Sequence, residues 1–189
     1  MSKNIVLIGM PGAGKTTIVR DLLERGLNLS FSVSATTRPP RGKEKDGKDY
    51  FFLTVPEFRR RIGNNEFVEW EEVYSDLFYG TLRSEVERIR AGGNHVLFDV
   101  DVKGGIRLKQ LYSDKALAIF VMPPSVDELQ NRLISRGTDS MEKIRMRVEK
   151  AHLELLMADQ FDEIIVNESL KKATEDAFRV VSRFLVHNR

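Results

Sequence analysis

The sequence predicts an α/β fold, a three-layer sandwich around a parallel central sheet, with a small β-rich insertion and a short lid. Three observations predict it. Apolar, β-branched runs at Ile5 to Ile8, Val96 to Phe98, Leu117 to Val121 and Ile164 to Val166 are separated by segments of helical periodicity. A glycine-rich turn joins the first run directly to the first helical segment. Residues 33–81 break the alternation with Pro39-Pro40, Gly42, Gly47 and clustered aromatics.

In chain order, Ile5-Val6-Leu7-Ile8 is a strand apolar on both faces, as a sheet covered on each side requires. The first helix runs from Lys15 to about Arg25, with Ile18, Val19, Leu22 and Leu23 on one face. Within the insertion, Tyr50-Phe51-Phe52 and Phe67-Val68-Glu69-Trp70 read as short strands around a weak helix at Val55 to Ile62. A second helix spans about Leu82 to Arg90, with Leu82, Val86 and Ile89 in register. The next, residues 126–135, aligns Val126, Leu129 and Leu133, with Ser125 as N-cap and Glu128 completing a capping box. Residues 141–158 carry Ile144, Val148, Ala151 and Leu155, and the last helix carries Leu170, Ala173, Ala177, Val181 and Phe184. Strands that alternate with helices imply right-handed crossovers and a parallel order. The division is one domain, with core segments 1–32 and 82–189, the insertion at 33–81, and a lid region at 132–150 around Gly137-Thr138-Asp139-Ser140.

Gly9-Met10-Pro11-Gly12-Ala13-Gly14-Lys15-Thr16 is an uninterrupted G-x-x-x-x-G-K-T between a strand and a helix, a phosphate-binding loop or P-loop. Glycines allow the backbone N–H groups to turn inward, and the helix presents the positive end of its dipole to a polyphosphate. Lys15 is then expected on the β and γ phosphates, the Thr16 hydroxyl on Mg²⁺, and Thr17 beside the loop.

Composition narrows the class. A chain of 189 residues, 41% of them hydrophobic, supports one packed core. No run reaches the roughly 18 to 20 apolar residues of a membrane span, and Met1-Ser2-Lys3-Asn4 leads straight into the first strand, so a cytoplasmic protein is expected. Zero cysteines exclude disulfides and thiolate metal sites, and the three histidines, His95, His152 and His187, lack ligand spacing. A net charge of +2 does not suggest general polyanion binding, so neither nucleic acid nor membrane is an expected partner. Cations cluster locally, however, at Arg38, Arg41, Lys43, Lys45 and Lys48 and again at Arg132, Arg136, Lys143, Arg145, Arg147 and Lys150. Each cluster reads either as a solvated face or as a converging set around phosphate.

In the insertion, Ser34-Ala35-Thr36-Thr37-Arg38-Pro39-Pro40-Arg41 with Gly47-Lys48-Asp49-Tyr50 brings two arginines and a phenol together if the prolines hold the chain extended. This set can clamp a monophosphate, or it is an exposed charged loop with Tyr50 in a small core. The run from Phe31 to Arg41 with Glu44, Gly47, Asp49 and Tyr50 resembles the nucleoside-monophosphate segment of the guanylate kinases. The resemblance continues through Glu69-Trp70, Tyr79-Gly80-Thr81, Asp99-Val100-Asp101, Pro123-Pro124-Ser125, Arg132-Leu133, Arg136-Gly137 and Ile165-Val166-Asn167, over essentially the full length.

The resemblance implies an ATP:GMP phosphotransferase that also takes dGMP, uses Mg²⁺ and serves purine metabolism and GMP recycling, as a monomer or homodimer. It implies guanine contacts at Glu69 and Asp101, with hydroxyls from Ser34 and Thr81. Guanine's N1–H and N2 amine are donors that adenine lacks there, and a site built on such bonds rejects an analogue lacking them by roughly 10⁴-fold or more. For Glu69 an ordinary acidic surface with Glu66, Glu71 and Glu72 is the alternative. Arg38, Arg41, Tyr50 and Tyr79 are implied to hold the acceptor phosphate, with Glu44 orienting Arg41. Asp99 is implied near the Mg²⁺ water shell. Arg132, Arg136 and Arg147 are implied as lid arginines, and Asn167 near the donor adenine, although an Asn can simply turn a strand into a loop. Against a non-catalytic binding module of this fold stand the intact Lys15-Thr16 and the lid arginines; against a sugar-phosphate kinase stand Glu69, Thr81 and Asp101. Two positions depart from the family pattern. Pro11 replaces the common serine of the loop, and Lys103 stands where glutamine is common.

Overall fold

The computed structural model describes residues 2–137 and 139–187, so Thr138 of the expected lid lies outside the described residues. Its centre is a five-stranded parallel sheet of β1 (Asn4–Ile8), β2 (Leu29–Phe31), β7 (His95–Val100), β8 (Ala116–Met122) and β9 (Glu163–Val166), in the order β2-β7-β1-β8-β9. All five residues of β1 are buried, with none of the alternation a one-sided sheet would show, so helices cover both faces. The α/β class with a parallel central sheet is borne out.

The core helices are α1 (Lys15–Glu24), α3 (Arg83–Ala91), α4 (Val102–Tyr112), α5 (Val126–Arg136), α6 (Met141–Leu155) and α7 (Leu170–His187). Of these, α1 buries Ile18, Val19 and Leu22 and packs against α7. Ser125 caps α5 by accepting from Glu128 N–H at 3.1 Å. The expected reciprocal half of that capping box does not form, because the Glu128 carboxylate pairs with Arg132 at 2.8 Å instead.

Two core elements escape the periodicity. β2 is a three-residue edge strand too short to show a pattern. Helix α4 contains Gly104-Gly105, which lower helix propensity by about 1 kcal/mol each. Packing overrides that cost: a Cβ on Gly105 would lie 2.4 Å from Ile8 Cγ1, so the missing side chain lets α4 rest directly on β1. Asp101 starts the helix by accepting from Gly104 N–H at 2.9 Å.

A second sheet, β4-β3-β6-β5, lies within residues 35–82. It comprises β3 (Ala35–Thr36), β4 (Phe51–Phe52), β5 (Phe67–Tyr74) and β6 (Leu77–Leu82), with α2 (Val55–Gly63) packed beside it. Its core is separate, formed by Ala35, Phe58, Phe67, Phe78 and Leu82, with the Phe58 ring stacked 4.3 Å from Phe67 and 5.2 Å from Phe78. Thr54 caps α2 and Pro56 occupies its first turn. The β5–β6 hairpin is longer than the short strand expected at Phe67 to Trp70, because it turns through Ser75-Asp76 without a glycine, Asp76 taking φ 61° itself. At the neck, buried Glu85 of α3 accepts from Val33 N–H at 3.2 Å, tying the exit of this sheet to its entrance.

Gly105→Ala is expected to destabilise the protein by about 2 kcal/mol through overpacking against Ile8. Gly63→Ala, where an added Cβ meets nothing within 4 Å, is expected to be neutral or slightly stabilising. Urea unfolding midpoints of the two variants check this.

Candidate active site

The loop after β1 is set by close approach. A Cβ at Gly9 would lie 2.2 Å from the Val121 carbonyl oxygen, so only glycine lets the loop sit on β8. Gly14, at φ 98°, opens α1 with no side-chain cap and no acidic residue in the first turn, which leaves the helix N-terminus to an anion. Met10 is buried beneath the loop, Pro11 is exposed at its tip, and Met10 C=O accepts from Ala13 N–H at 3.2 Å, closing the turn. Lys15 Nζ folds back to donate to Gly9 C=O at 2.6 Å and stands 3.6 Å from Asp99 Oδ1. Asp99 comes from β7, which pairs with β1 in register, so two chain-distant strands deliver the cation and the carboxylate to one edge. Thr16 and Thr17 are exposed at the start of α1.

A cleft of about 610 Å³ opens from this loop toward the second sheet. Its walls include Gly9, Pro11, Lys15, Thr16 and Asp99 on one side, and Ser34, Arg38, Arg41, Tyr50, Glu69, Tyr79 and Asp101 on the other. Arg136 and Arg147 enter from α5 and α6. Arg132, Asn167 and Thr81 are not among the walls. Asn167 lies buried behind the loop, its Nδ2 donating to Ala13 C=O at 2.8 Å, while Arg132 Nη2 donates to Asn167 C=O at 3.0 Å. Thr81 acts through Glu69, to which its hydroxyl donates at 2.6 Å.

On the insertion side, Arg38 is held by both oxygens of Glu44, at 2.6 and 2.8 Å, and lies over the Tyr50 ring at 4.7 Å. Glu44 touches Arg41 only by accepting its backbone N–H at 2.8 Å. The carboxylate therefore orients Arg38 rather than the Arg41 side chain, a correction that follows from the fork-to-fork fit of guanidinium and carboxylate. That bidentate bond holds the Glu44 carboxyl down at about 2, and burial pushes the Tyr50 phenol up.

Buried Glu69 and Glu71 share the inward face of β5 with Phe67, so the acidic run is not an ordinary surface. Burial, reinforced by Asp101 and opposed by the Thr81 hydrogen bond, pushes the Glu69 carboxyl up to about 7. Asp101 spends Oδ1 on the α4 cap and keeps Oδ2 in the cleft, 3.8 Å from Lys150 Nζ.

The cleft also holds Glu154, which sequence reasoning passed over, beside cations already named in the second cluster. Lys143, Arg147, Lys150 and Glu154 form one stripe along α6, a spacing of four, three and four that could have been read outward from Arg147. Arg147 is held by Asp139 at 2.7 Å, and Lys150 bridges Asp101 to buried Glu154, at 3.3 Å from the latter. Burial pushes the Glu154 carboxyl upward against that pairing.

A glycine loop with its lysine, a strand-end carboxylate and a second lobe facing them across one cleft define a phosphate-loop nucleotide kinase. Comparison with known proteins resolves the class further. The guanylate kinase family profile matches residues 1–184, and the chain belongs to that family, whose activity is ATP-dependent phosphorylation of GMP. The chain is 52% identical over 184 residues to a guanylate kinase of Bacteroides fragilis, covering 97% of this chain and 90% of the relative. It is 52% identical over 186 residues to that of Porphyromonas gingivalis, covering 98% and 99%. The crystal structure of guanylate kinase from Anaplasma phagocytophilum superposes with a TM-score of 0.80 at 30% identity, over 99% of this chain and 88% of that one.

A carboxyl whose folded pKa is raised from 4.5 to about 7 contributes stability that is present below the unfolded value and lost as pH rises through the folded one. Glu69→Gln is therefore expected to melt higher than the wild type at pH 8, by an amount on the order of 3 kcal/mol, and to lose that advantage as pH falls toward about 4.5. Melting curves of both proteins across that range check it.

Proposed function

We propose that the chain transfers the γ-phosphoryl of Mg²⁺-bound ATP to GMP and dGMP, giving ADP and the corresponding diphosphate, as a cytoplasmic enzyme of purine nucleotide metabolism and GMP recycling. The observation that carries this reading is the buried Glu69, with its Thr81 partner, across one cleft from Lys15 and Asp99. Buried acceptors facing a phosphate loop have a purpose only if a donor-rich base edge enters between them.

In this reading residues 33–81 form the GMP-binding insertion, 132–150 the lid, and the rest the ATP-binding core. The loop from Gly9 to Thr17 cradles the ATP phosphates, and Lys15 bridges toward the transferring group. Arg38, Arg41, Tyr50 and Tyr79 grip the acceptor phosphate, while Ser34, Glu69 and Asp101 read guanine and Thr81 orients Glu69. Thr16 and Asp99 offer the hard oxygen donors Mg²⁺ prefers. Among the described residues no group of three or more His, Cys, Asp or Glu is placed to hold a metal ion. When bound, the ion neutralises charge between phosphates.

The acceptor phosphate oxygen is already anionic and needs no covalent nucleophile. It attacks the γ phosphorus in line, and the bond from that phosphorus to the β–γ bridging oxygen breaks to leave ADP. Arg132, Arg136 and Arg147 offset the charge that develops as two anions meet, Arg132 from behind the loop and the others from the lid. Closure of lid and insertion excludes water, which would otherwise take the phosphoryl group. Among the described residues no helix is long and apolar enough to cross a membrane.

A coupled assay with GMP, dGMP, AMP, CMP and UMP should show turnover of the guanine nucleotides far above the rest, and comparable turnover of AMP would overturn the base assignment. Lys15→Met should lower kcat by roughly 100-fold or more. Glu69→Ala should raise KM for GMP and relax base choice, with a smaller effect on kcat.

A further inference from the structure

Glu71 is a buried carboxylate in the cleft wall that the reaction just described does not use. Helix α4 brings two cations to it. Lys103 Nζ donates to Glu71 Oε1 at 2.6 Å, and Arg107, one turn further on, pairs with Oε2 at 2.9 Å. Arg107 also donates to the carbonyl of Trp70, the residue between Glu69 and Glu71. Both carboxylates point to the same face of β5, roughly 7 Å apart along the strand.

We propose that Lys103 and Arg107 form a charge-balancing clamp on Glu71 that preserves Glu69 as a hydrogen-bond acceptor for the guanine edge. The proposal rests on the functional reading above and adds a positioning role for residues that touch no substrate.

The groups that face Glu69 decide the argument. From its own strand comes Glu71, from β6 the Thr81 hydroxyl, from the end of β7 Asp101, from α4 Lys103 and Arg107, and from α6 Lys150 and Glu154 beyond Asp101. Gly104 keeps α4 close, since a Cβ there would lie 3.1 Å from Glu69 Oε2. Asp101 already works against ionisation of Glu69, and Arg107 favours it. Without Lys103, Glu71 would keep only Arg107, and the loss of one positive charge from the surroundings of Glu69 would favour its neutral form. A protonated Glu69 can offer only part of its acceptor capacity to the N1–H and N2 amine of guanine. The lysine at 103, a departure from the glutamine common in the family, thereby acquires a role: a neutral amide there would leave one Glu71 oxygen without an opposing charge.

The test is the pH dependence of KM for GMP, measured from about pH 5.5 to 9 in wild type, K103M, K103R and the double variant K103M/E71Q. Lys103 is largely exposed, so its replacement should leave folding intact. In K103M the pH below which KM for GMP climbs should move up by roughly half a pH unit or more. At saturating GMP kcat should stay within about twofold, as should KM for ATP. K103R should restore the wild-type profile, and so should the double variant, because removing the Glu71 charge removes the need for the clamp. An unmoved K103M profile overturns the clamp, as does a shift that E71Q fails to reverse. A wild type inactive toward GMP at every pH overturns the functional reading as well, whereas an active wild type with an unmoved K103M profile overturns the clamp alone.

Discussion

Gly9 meets the Val121 carbonyl where any side chain would collide, and the geometry of the cleft is referred to that contact. It seats the phosphate loop on β8 while β1 continues into it, so the loop is fixed by two adjacent parallel strands rather than by its own turns. β7 lies on the other side of β1 in matched register, which puts Asp99 level with the loop and within reach of Lys15. α4 can then begin immediately at Asp101 and lie flat on β1, because Gly105 yields to Ile8. One chain of close backbone approaches thus links the loop side of the cleft to the side lined by β5 and β6.

Charge is distributed by the same economy. Most cleft cations have a carboxylate partner: Lys15 with Asp99, Arg38 with Glu44, Arg147 with Asp139, and Lys150 with Asp101 and Glu154. Such pairs hold long side chains in place without a ligand, which lowers the ordering entropy that binding would otherwise cost. They differ in geometry. Glu44 grips Arg38 through both oxygens, whereas Lys15 is bent back onto Gly9 C=O and stands 3.6 Å from Asp99.

The parts of the fold legible in the sequence are those whose burial is two-sided or strongly periodic. β1, β7 and β8 announce themselves as apolar runs, and α1 and α5 as stripes. β2 was hidden by its length, and α4 by a pair of glycines whose propensity argues for a loop while their packing demands a helix. In the cleft, Lys15 and Asp99 followed from the phosphate-loop pattern because strand ends converge there. Glu71 and Glu154 did not, because a charged residue is ordinarily solvated, and only the facing element reveals that each is covered. The partner of Glu44 was likewise unreadable: two arginines lay within reach along the chain, and the choice was made by a rotamer.

The aromatic core around Phe58 shares no side chain with the main core around β1. The two lobes are joined at the neck, where Val33 and Glu85 meet, and along α4, whose Lys103 and Arg107 hold Glu71 of β5. A fold with two packed interiors lets a substitution among the rings around Phe58 be absorbed locally, without repacking the strands of the larger sheet.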